Sequence, residues 1–211
     1  MADELVLYTN PQSRGRIARW MLEEVGQPYK VEVLDYASTM KGPAYLAINP
    51  MGKVPAIRHG DAVVTETAAI CAYLADAFPQ AKLAPPLSDK MRAPYYRWMF
   101  FAAGPIEAAV SNKALGFVVP PERERMMGYG TFARAVDALE SAVKHGDYIA
   151  GNSFTAADVY VGSSIGFGLM FGTIEKRPAF ETYWQRISAR PAAVRAKELD
   201  DAQAAEMKKA G

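Results

Sequence analysis

Short apolar runs with strand character alternate with helical patterns along the first eighty residues. Strand patterns occupy residues 4–8, 29–33 and both halves of 54–65, with a tight turn at Gly60 and Asp61 between those halves. Apolar side chains at helical spacing occupy residues 14–25 and 70–78, with a short helix or turn over 42–48. Gly26 is the expected C-terminal cap of the first of these helices. The order strand, helix, strand, short helix, hairpin, helix predicts a mixed four-stranded sheet covered by helices.

Only helical patterns follow Asp89. Residues 90–115 predict a helix that bends near Gly104 and Pro105, and apolar residues at three- and four-residue steps over 129–143 predict another. Two shorter helices are expected at 178–189 and 192–205. The chain is therefore predicted to have an α+β domain over residues 1–82, a linker over 83–89 with two prolines, and an all-α domain over 90–211.

One helix of the second domain carries a capping-box signature. Thr155 is the N-cap, Asp158 stands three residues later, and Phe154 and Val159 occupy the hydrophobic-staple positions. The apolar stretch 159–174 that follows is shorter than the roughly 20 residues that span a bilayer and is interrupted by Gly and Ser. It predicts a buried helix.

Composition and charge favour a soluble globular protein. Half of the 211 residues are hydrophobic and 22% are charged, and the net charge is only +1, without a long basic run that would favour nucleic-acid binding. The start of the chain lacks the pattern of a secretory signal, and the single cysteine, Cys71, fits a reducing cytosol, so a cytoplasmic protein is expected. His59 and His145 lack metal-ligand spacing, and no metal site is predicted.

Four local patterns, together with this domain order, resemble the glutathione S-transferase family. They are LYTNPQSRGRIARWMLEEVG at 7–26, NPMGKVPAI at 49–57, TETAAICAYLAD at 65–76 and the TAADV capping box at 155–159. The resemblance covers nearly the whole chain, which is similar in pattern to the cytosolic, bacterial and serine-type members. It implies a thioredoxin-like N-terminal domain followed by an all-α domain, glutathione as cosubstrate, no metal, and a homodimer.

Pro55 stands where a strand should form a ladder bond. In the family that this chain resembles, the Val-Pro bond before the third strand is cis. The resemblance implies that Val54 pairs, antiparallel, with the backbone of the cysteinyl residue of glutathione, which becomes a short extra strand. The alternative is that Pro55 only begins an edge strand, where proline is tolerated.

The other glutathione contacts follow from the charges of the tripeptide, which has two carboxylates and one ammonium. Glu66 and Thr67 open a helix whose free N–H groups suit a carboxylate, while Glu66 can accept from the ammonium. Ordinary capping of the helix is the alternative. Lys53 and, with less support, Lys41 are candidates for the glycyl carboxylate.

Ser13 and Asn10 are the candidates for activating the thiol. A free cysteine thiol has a pKa of about 8.5, and lowering it by about two units requires roughly 2.7 kcal/mol of thiolate stabilisation. Ser13 precedes a helix in the serine-type pattern and is proposed to donate a hydrogen bond to the thiolate. Alignment of RGR at 14–16 with the tyrosine-type classes instead puts their tyrosine at Asn10. Helix capping is the structural alternative for Ser13.

The sequence does not identify the electrophile. Met99, Ala103 and Phe117 are candidates for the wall of an acceptor pocket, with simple helix packing as the alternative. The expected function is conjugation of glutathione to small hydrophobic electrophiles in detoxification. A specialised isomerase, lyase, dehalogenase or peroxide or disulfide reductase is one alternative, and a non-catalytic ligand-binding or adaptor protein is another.

Overall fold

The computed structural model describes residues 3–144 and 146–210, which fold into two compact units. One unit comprises residues 3–83 together with 189–210, and the other comprises residues 84–188. His145, one of the two histidines considered above, lies outside the described residues. Among those residues, no helix is both long and apolar enough to cross a membrane.

Four strands and nine helices, with short 3-10 turns between some of them, make up the described chain. The first unit begins with β1 (Leu5–Thr9), α1 (Gly15–Val25), β2 (Lys30–Val33), α2 (Pro43–Leu46), β3 (Ala56–His59), β4 (Ala62–Thr65) and α3 (Thr67–Ala77). The second unit contains α4 (Arg92–Phe101), a π-helical turn (Ala102–Ile106), α5 (Glu107–Ala114), α6 (Phe132–Lys144), α7 (Ala156–Phe171) and α8 (Pro178–Ser188). The chain then returns to the first unit as α9 (Pro191–Ala210).

The sheet is mixed and four-stranded, as the sequence predicted, with the order β2-β1-β3-β4. β1 runs parallel to β2 and antiparallel to β3, and β3 runs antiparallel to β4. Ala56 at the start of β3 lies opposite Tyr8 on one side and Thr65 on the other. This register brings the end of β1, the beginning of β3 and the end of β4 to one end of the sheet, together with the end of β2.

Helices α1 and α3 pack against the sheet through apolar side chains that are almost completely buried. The fully buried side chains include Leu7, Met21, Leu22, Ile57, Ile70 and Leu74. Burial of each such side chain contributes about 1.5–3 kcal/mol to folding. Gly26 ends α1 with a left-handed φ of 71°, so the C-terminal cap predicted for this helix is confirmed.

Helix α9 packs against α1 through charged residues. Arg19 Nε donates to Asp200 Oδ1 at 2.8 Å, and both side chains are almost completely buried. Nearer the other end of α1, Arg190 donates from Nε and one terminal nitrogen to the two carboxylate oxygens of Glu24, each at 2.7 Å. The sequence prediction assigned residues 191–210 to the helical domain, whereas these contacts group α9 with the sheet.

The irregularity predicted at Gly104–Pro105 is a π-helical turn between α4 and α5. Pro105 has no N–H to donate, and the wider turn lets the helical path continue past it. Further along, Gly162 of α7 lies so close to α8 that a Cβ there would be 2.0 Å from Ile187 Cδ1. The glycines of α7 therefore allow a close approach between two helices of the second unit.

The capping box of α7 is present, as the sequence predicted, and it extends into a buried polar network. The Asp158 carboxylate accepts hydrogen bonds from the N–H of Thr155 at 2.9 Å, the N–H of Ile149 at 2.8 Å and the Tyr183 hydroxyl at 2.7 Å. Burial raises the pKa of the Asp158 carboxyl, and these hydrogen bonds act in the opposite direction. The residue thus ties the start of α7 to α8 and to the segment before it.

We expect Asp158→Asn to lower the free energy of unfolding by about 2–4 kcal/mol, because the amide replaces an acceptor by a donor among buried donors. Asp137→Asn is the matched control, since Asp137 is largely exposed and its pair with Arg177 contributes at most about 1 kcal/mol. Denaturant unfolding of the two variants measures the difference. Equal losses would contradict a structural role for the buried network.

Candidate active site

Most of the residues that the sequence proposed for binding meet at one end of the sheet. The loop from Asn10 to Ser13 follows β1, Val54 and Pro55 precede β3, and Glu66 follows β4. Because Ala56 is paired on both sides, these segments are neighbours through the strand register. The three predicted acceptor residues lie in the other compact unit.

The Val54–Pro55 peptide bond is cis, as the resemblance implied. Pro55 is buried and Val54 is half-buried, packed against the cluster formed by Met40, Tyr45 and Ala56. Within residues 3–144 and 146–210, neither the N–H nor the C=O of Val54 has a hydrogen-bond partner. An extended peptide laid beside Val54 would meet one donor and one acceptor.

The segment before Val54 is fixed by two buried side chains that the sequence analysis did not single out. The Tyr45 hydroxyl donates to the C=O of Lys53 at 2.6 Å, and Asn49 Nδ2 donates to the same oxygen at 2.8 Å. Asn49 Oδ1 also accepts from the N–H of Met51 at 3.1 Å. The asparagine of the NPMG turn was the available sequence signal, since Asn in turns commonly bonds to nearby backbone.

The side chain of Lys41 reaches the backbone next to Lys53. Lys41 Nζ donates to the C=O of Gly52 at 2.6 Å, which places its ammonium beside the residue that precedes Lys53. A lysine ammonium carries three donors, so Lys41 keeps two for a further acceptor. Lys53 is exposed and has no ion-pair partner within the described residues.

Glu66 and Thr67 form the start of α3. Glu66 has a left-handed φ of 65° with ψ of 119°, a backbone conformation that costs a non-glycine residue of order 1–3 kcal/mol. The first helical hydrogen bond runs from the N–H of Ile70 to the C=O of Glu66 at 2.9 Å. The N–H groups of residues 67–69 therefore precede the helical ladder, beside an exposed carboxylate at Glu66 and a buried hydroxyl at Thr67.

Ser13 uses its hydroxyl within the loop after β1. Ser13 Oγ donates to the C=O of Asn10 at 2.7 Å and accepts from the N–H of Gly15 at 2.9 Å. The second bond satisfies the N–H of Gly15, the first residue of α1, although the N-cap position itself is Arg14. The hydroxyl is half-buried and becomes available to another acceptor by rotating away from Asn10.

Asn10 holds the backbone around it. Only 1% of the residue is exposed, Nδ2 donates to the C=O of Leu34 at 2.8 Å, and Oδ1 accepts from the N–H of Gln12 at 2.9 Å. This amide joins the loop after β1 to the loop after β2. The geometry therefore favours Ser13 over Asn10 as the group that faces a ligand.

A second hydroxyl lies beside Ser13 at the beginning of α1. A Cβ added to Gly15 would lie 1.9 Å from Thr9 Oγ1 and 3.0 Å from Ser13 Oγ. Thr9 is fully buried, and its Oγ1 has no hydrogen-bond partner within the described residues. Glycine is thus required at position 15. Thr9, which the sequence analysis did not single out, is a neighbour of Ser13, the proposed hydrogen-bond donor to the thiolate.

The three acceptor candidates differ in exposure. Met99 of α4 is buried, Ala103 in the π-helical turn is exposed, and Phe117 after α5 is 54% exposed. Burial of Met99 favours the helix-packing alternative for that residue. Their joint role as a pocket wall stays a prediction.

Cys71 does not contribute to this site. It is a buried free cysteine within α3, and burial raises the pKa of its thiol, which opposes formation of a nucleophilic thiolate. Among the described residues, no group of three or more His, Cys, Asp or Glu side chains is arranged to hold a metal ion.

Both halves of the chain match models of known protein domains. Residues 14–77 match the glutathione S-transferase N-terminal domain, and residues 106–191 match the glutathione S-transferase C-terminal domain. Among curated proteins, glutathione S-transferase GstA of Escherichia coli O157:H7 is 26% identical over 204 residues, which cover 95% of this chain and 98% of the relative. Glutathione S-transferase GST-4.5 of Xanthomonas campestris is 27% identical, over 87% of this chain and 92% of the relative.

Solved structures give the same result over nearly the full length. A glutathione transferase from Methylococcus capsulatus superimposes with a TM-score of 0.77 at 27% identity, covering 93% of this chain and 98% of the other. A glutathione transferase homolog from Sulfitobacter, with bound glutathione, gives 0.74 at 29% identity, covering 92% and 97%. From the two domain matches and these relatives, we conclude that the chain belongs to the glutathione S-transferase family of enzymes.

Proposed function

We propose that this enzyme binds glutathione at the end of the sheet described above and conjugates its thiolate to small hydrophobic electrophiles. The observation that carries the proposal is the convergence of three features at one sheet end: Ser13, the start of α3, and the N–H and C=O of Val54, which have no partner in the described part of the chain. A pure adaptor needs no such peptide site. The glutathione-bound Sulfitobacter relative supports the ligand, and a cytoplasmic role in detoxification is part of the same proposal.

The charges of the site match those of the tripeptide. The N–H and C=O of Val54 would pair with the backbone of the cysteinyl residue, as an added strand would. Glu66 would accept from the ligand's ammonium, while the hydroxyl of Thr67 and the free N–H groups of its helix would bind the neighbouring carboxylate. Lys53, which directly precedes Val54, and Lys41, whose ammonium lies beside Gly52, would bind the glycyl carboxylate at the other end.

Thiol activation is assigned to the Ser13 hydroxyl. On binding, the hydroxyl would turn from the C=O of Asn10 to the sulfur, while the N–H of Gly15 continues to donate to Oγ. That incoming hydrogen bond polarises the hydroxyl and strengthens it as a donor. The proton of the thiol passes to water and not to Ser13. The thiolate then attacks the electrophilic carbon, and an activated aryl halide loses its halide as the new C–S bond forms.

Titration of the protein with glutathione in a calorimeter tests the proposed function. Binding in the micromolar to millimolar range is expected, and no detectable binding would rule out all the glutathione-dependent alternatives together. Turnover with activated aryl halides, lyase substrates and peroxides then separates conjugation from the specialised reactions. Conjugation of the aryl halide is the expected result.

Ser13→Ala should reduce kcat/KM for conjugation about 10- to 100-fold, because a hydrogen bond to a charged group contributes about 1.5–3 kcal/mol. The pKa of the bound thiol should rise toward its value in free glutathione, with little change in glutathione affinity. Ser88→Ala, at an exposed serine of the second unit that precedes α4, is the control. An unchanged thiol pKa in Ser13→Ala, combined with a raised one in a folded Asn10→Ala variant, would move the role to Asn10.

Glu66→Gly should separate binding from folding. Glycine relieves the left-handed φ, so the free energy of unfolding should not fall, yet loss of the carboxylate should weaken glutathione binding about tenfold or more. Ala72→Gly in the middle of α3 is the matched control and should do the reverse, losing about 1 kcal/mol of stability at unchanged affinity. Calorimetry and denaturant unfolding report the two quantities. Unchanged affinity in Glu66→Gly would exclude Glu66 from the site.

We also propose that the enzyme is a homodimer that associates through the exposed face of α4. Tyr96 and Phe100 lie one helical turn apart on that face, and Phe100 is 72% exposed. Large apolar side chains side by side on a helix surface are typical of interfaces.

Phe100→Glu should convert the dimer to a monomer in sedimentation experiments, since burying an unpaired carboxylate opposes association. Leu115→Glu, at a similarly exposed apolar residue outside α4, should remain dimeric. Dimers of both variants would exclude this face.

A further inference from the structure

Arg16 connects the loop after β1 to helix α9. Its Nε donates to the C=O of Pro11 at 2.5 Å, and one terminal nitrogen lies 2.8 Å from Oδ1 of Asp201. The planar guanidinium holds these two donors at a fixed separation, which a lysine ammonium does not. Arg16 thus connects the loop that carries Ser13 to Asp201, which lies 190 positions after Pro11 in the chain.

The loop itself transmits this contact to Ser13. Pro11 is the neighbour of Asn10, whose carbonyl accepts from both the N–H of Ser13 at 3.0 Å and the Ser13 hydroxyl at 2.7 Å. Any displacement of the Pro11 carbonyl therefore moves the peptide that orients Ser13. The side chain of Asn10 anchors the other side of the same loop to Leu34.

Asp201 is fixed on the α9 side. Lys197, one turn earlier on α9, donates to Oδ2 of Asp201 at 2.7 Å, and the buried Arg19–Asp200 pair sets the position of α9 on α1. Hydrogen bonds from Lys197 and Arg16 lower the pKa of the Asp201 carboxyl, so it is ionised at neutral pH.

The exposure of the Arg16–Asp201 pair indicates that the pair affects the position of the loop and not the stability of the fold. The Arg16 and Asp201 side chains are 28% and 46% exposed, and ion pairs of this kind contribute little to folding. Orientation is different, because small displacements of a group that acts on a reacting atom have large effects on rate.

We propose that Asp201 is a positioning residue for thiol activation, acting through Arg16 on the loop that carries Ser13. This inference rests on the proposed function, since it assigns Ser13 to the thiolate of glutathione. Helix α9 is then part of the machinery of the site at the end of the sheet, although none of its residues was a candidate from the sequence.

The test compares Asp201→Asn with Glu198→Gln, an exposed carboxylate on the same helix. In Asp201→Asn we expect the thiolate fraction of bound glutathione at neutral pH, followed by ultraviolet absorbance, and kcat to fall about three- to tenfold. Glutathione affinity and the thermal midpoint should stay close to those of the wild type. Asp201→Glu should restore most of the activity, and Glu198→Gln should match the wild type.

A double variant tests the route. Arg16→Met removes both contacts, so adding Asp201→Asn to it should cause no further loss of thiolate. Equal thiolate fractions in wild type and Asp201→Asn, or additive losses in the double variant, would overturn the proposal.

A ligand-free measurement separates failure of this inference from failure of the proposed function. Amide hydrogen exchange over residues 9–17 should be faster in Asp201→Asn than in Glu198→Gln without any ligand, because the loop loses its anchor. If the wild type binds no glutathione, the proposed function fails, while the exchange result still decides whether Asp201 holds the loop. Unchanged exchange overturns the inference by itself.

Discussion

Strand β3 pairs with a neighbour on each side, and every proposed glutathione contact depends on that arrangement. Ala56 lies opposite both Tyr8 and Thr65, so the segments that continue beyond those residues leave the sheet at the same end. A one-residue slip in either pairing would turn side chains to the other face and separate the loop of Ser13 from the start of α3. The apolar faces of α1 and α3 oppose such a slip, since their buried residues fit only one register.

Side chains fix the loops at this sheet end by donating hydrogen bonds to backbone carbonyls. Tyr45 and Asn49 both donate to the carbonyl of Lys53, directly before Val54, whose own N–H and C=O lack partners among the residues that the structure describes. Asn10 joins two loops through Leu34. Fixed surroundings reduce the entropy that is lost when a ligand becomes ordered against Val54. The left-handed φ of Glu66 fits the same pattern, because backbone strain of this kind commonly lies at functional sites.

Local patterns predicted much of the fold. The strands, the hairpin, the Gly26 cap and the Thr155–Asp158 capping box all depend on residues close together in sequence, where spacing determines geometry. The motif around Pro55 also located the end of the sheet where the candidate site lies.

Interactions between distant residues were beyond that reasoning. The residues 191–210 show a polar helix pattern, and nothing in it indicates that Asp200 would pair with Arg19, 181 positions earlier. Likewise, the sequence alone does not show that Ser13 already donates to Asn10, or that Lys41 reaches Gly52. Such bonds depend on three-dimensional proximity, which one sequence without its fold does not supply.

The attachment of α9 to α1 also bears on how the chain is made. During synthesis the sheet and its first three helices leave the ribosome long before residues 191–210. The Arg19 guanidinium therefore lacks the Asp200 carboxylate while the helical unit is translated. Until then, α1 presents to water a surface that the finished protein covers. The first part of the chain to be synthesised is thus among the last to be completed.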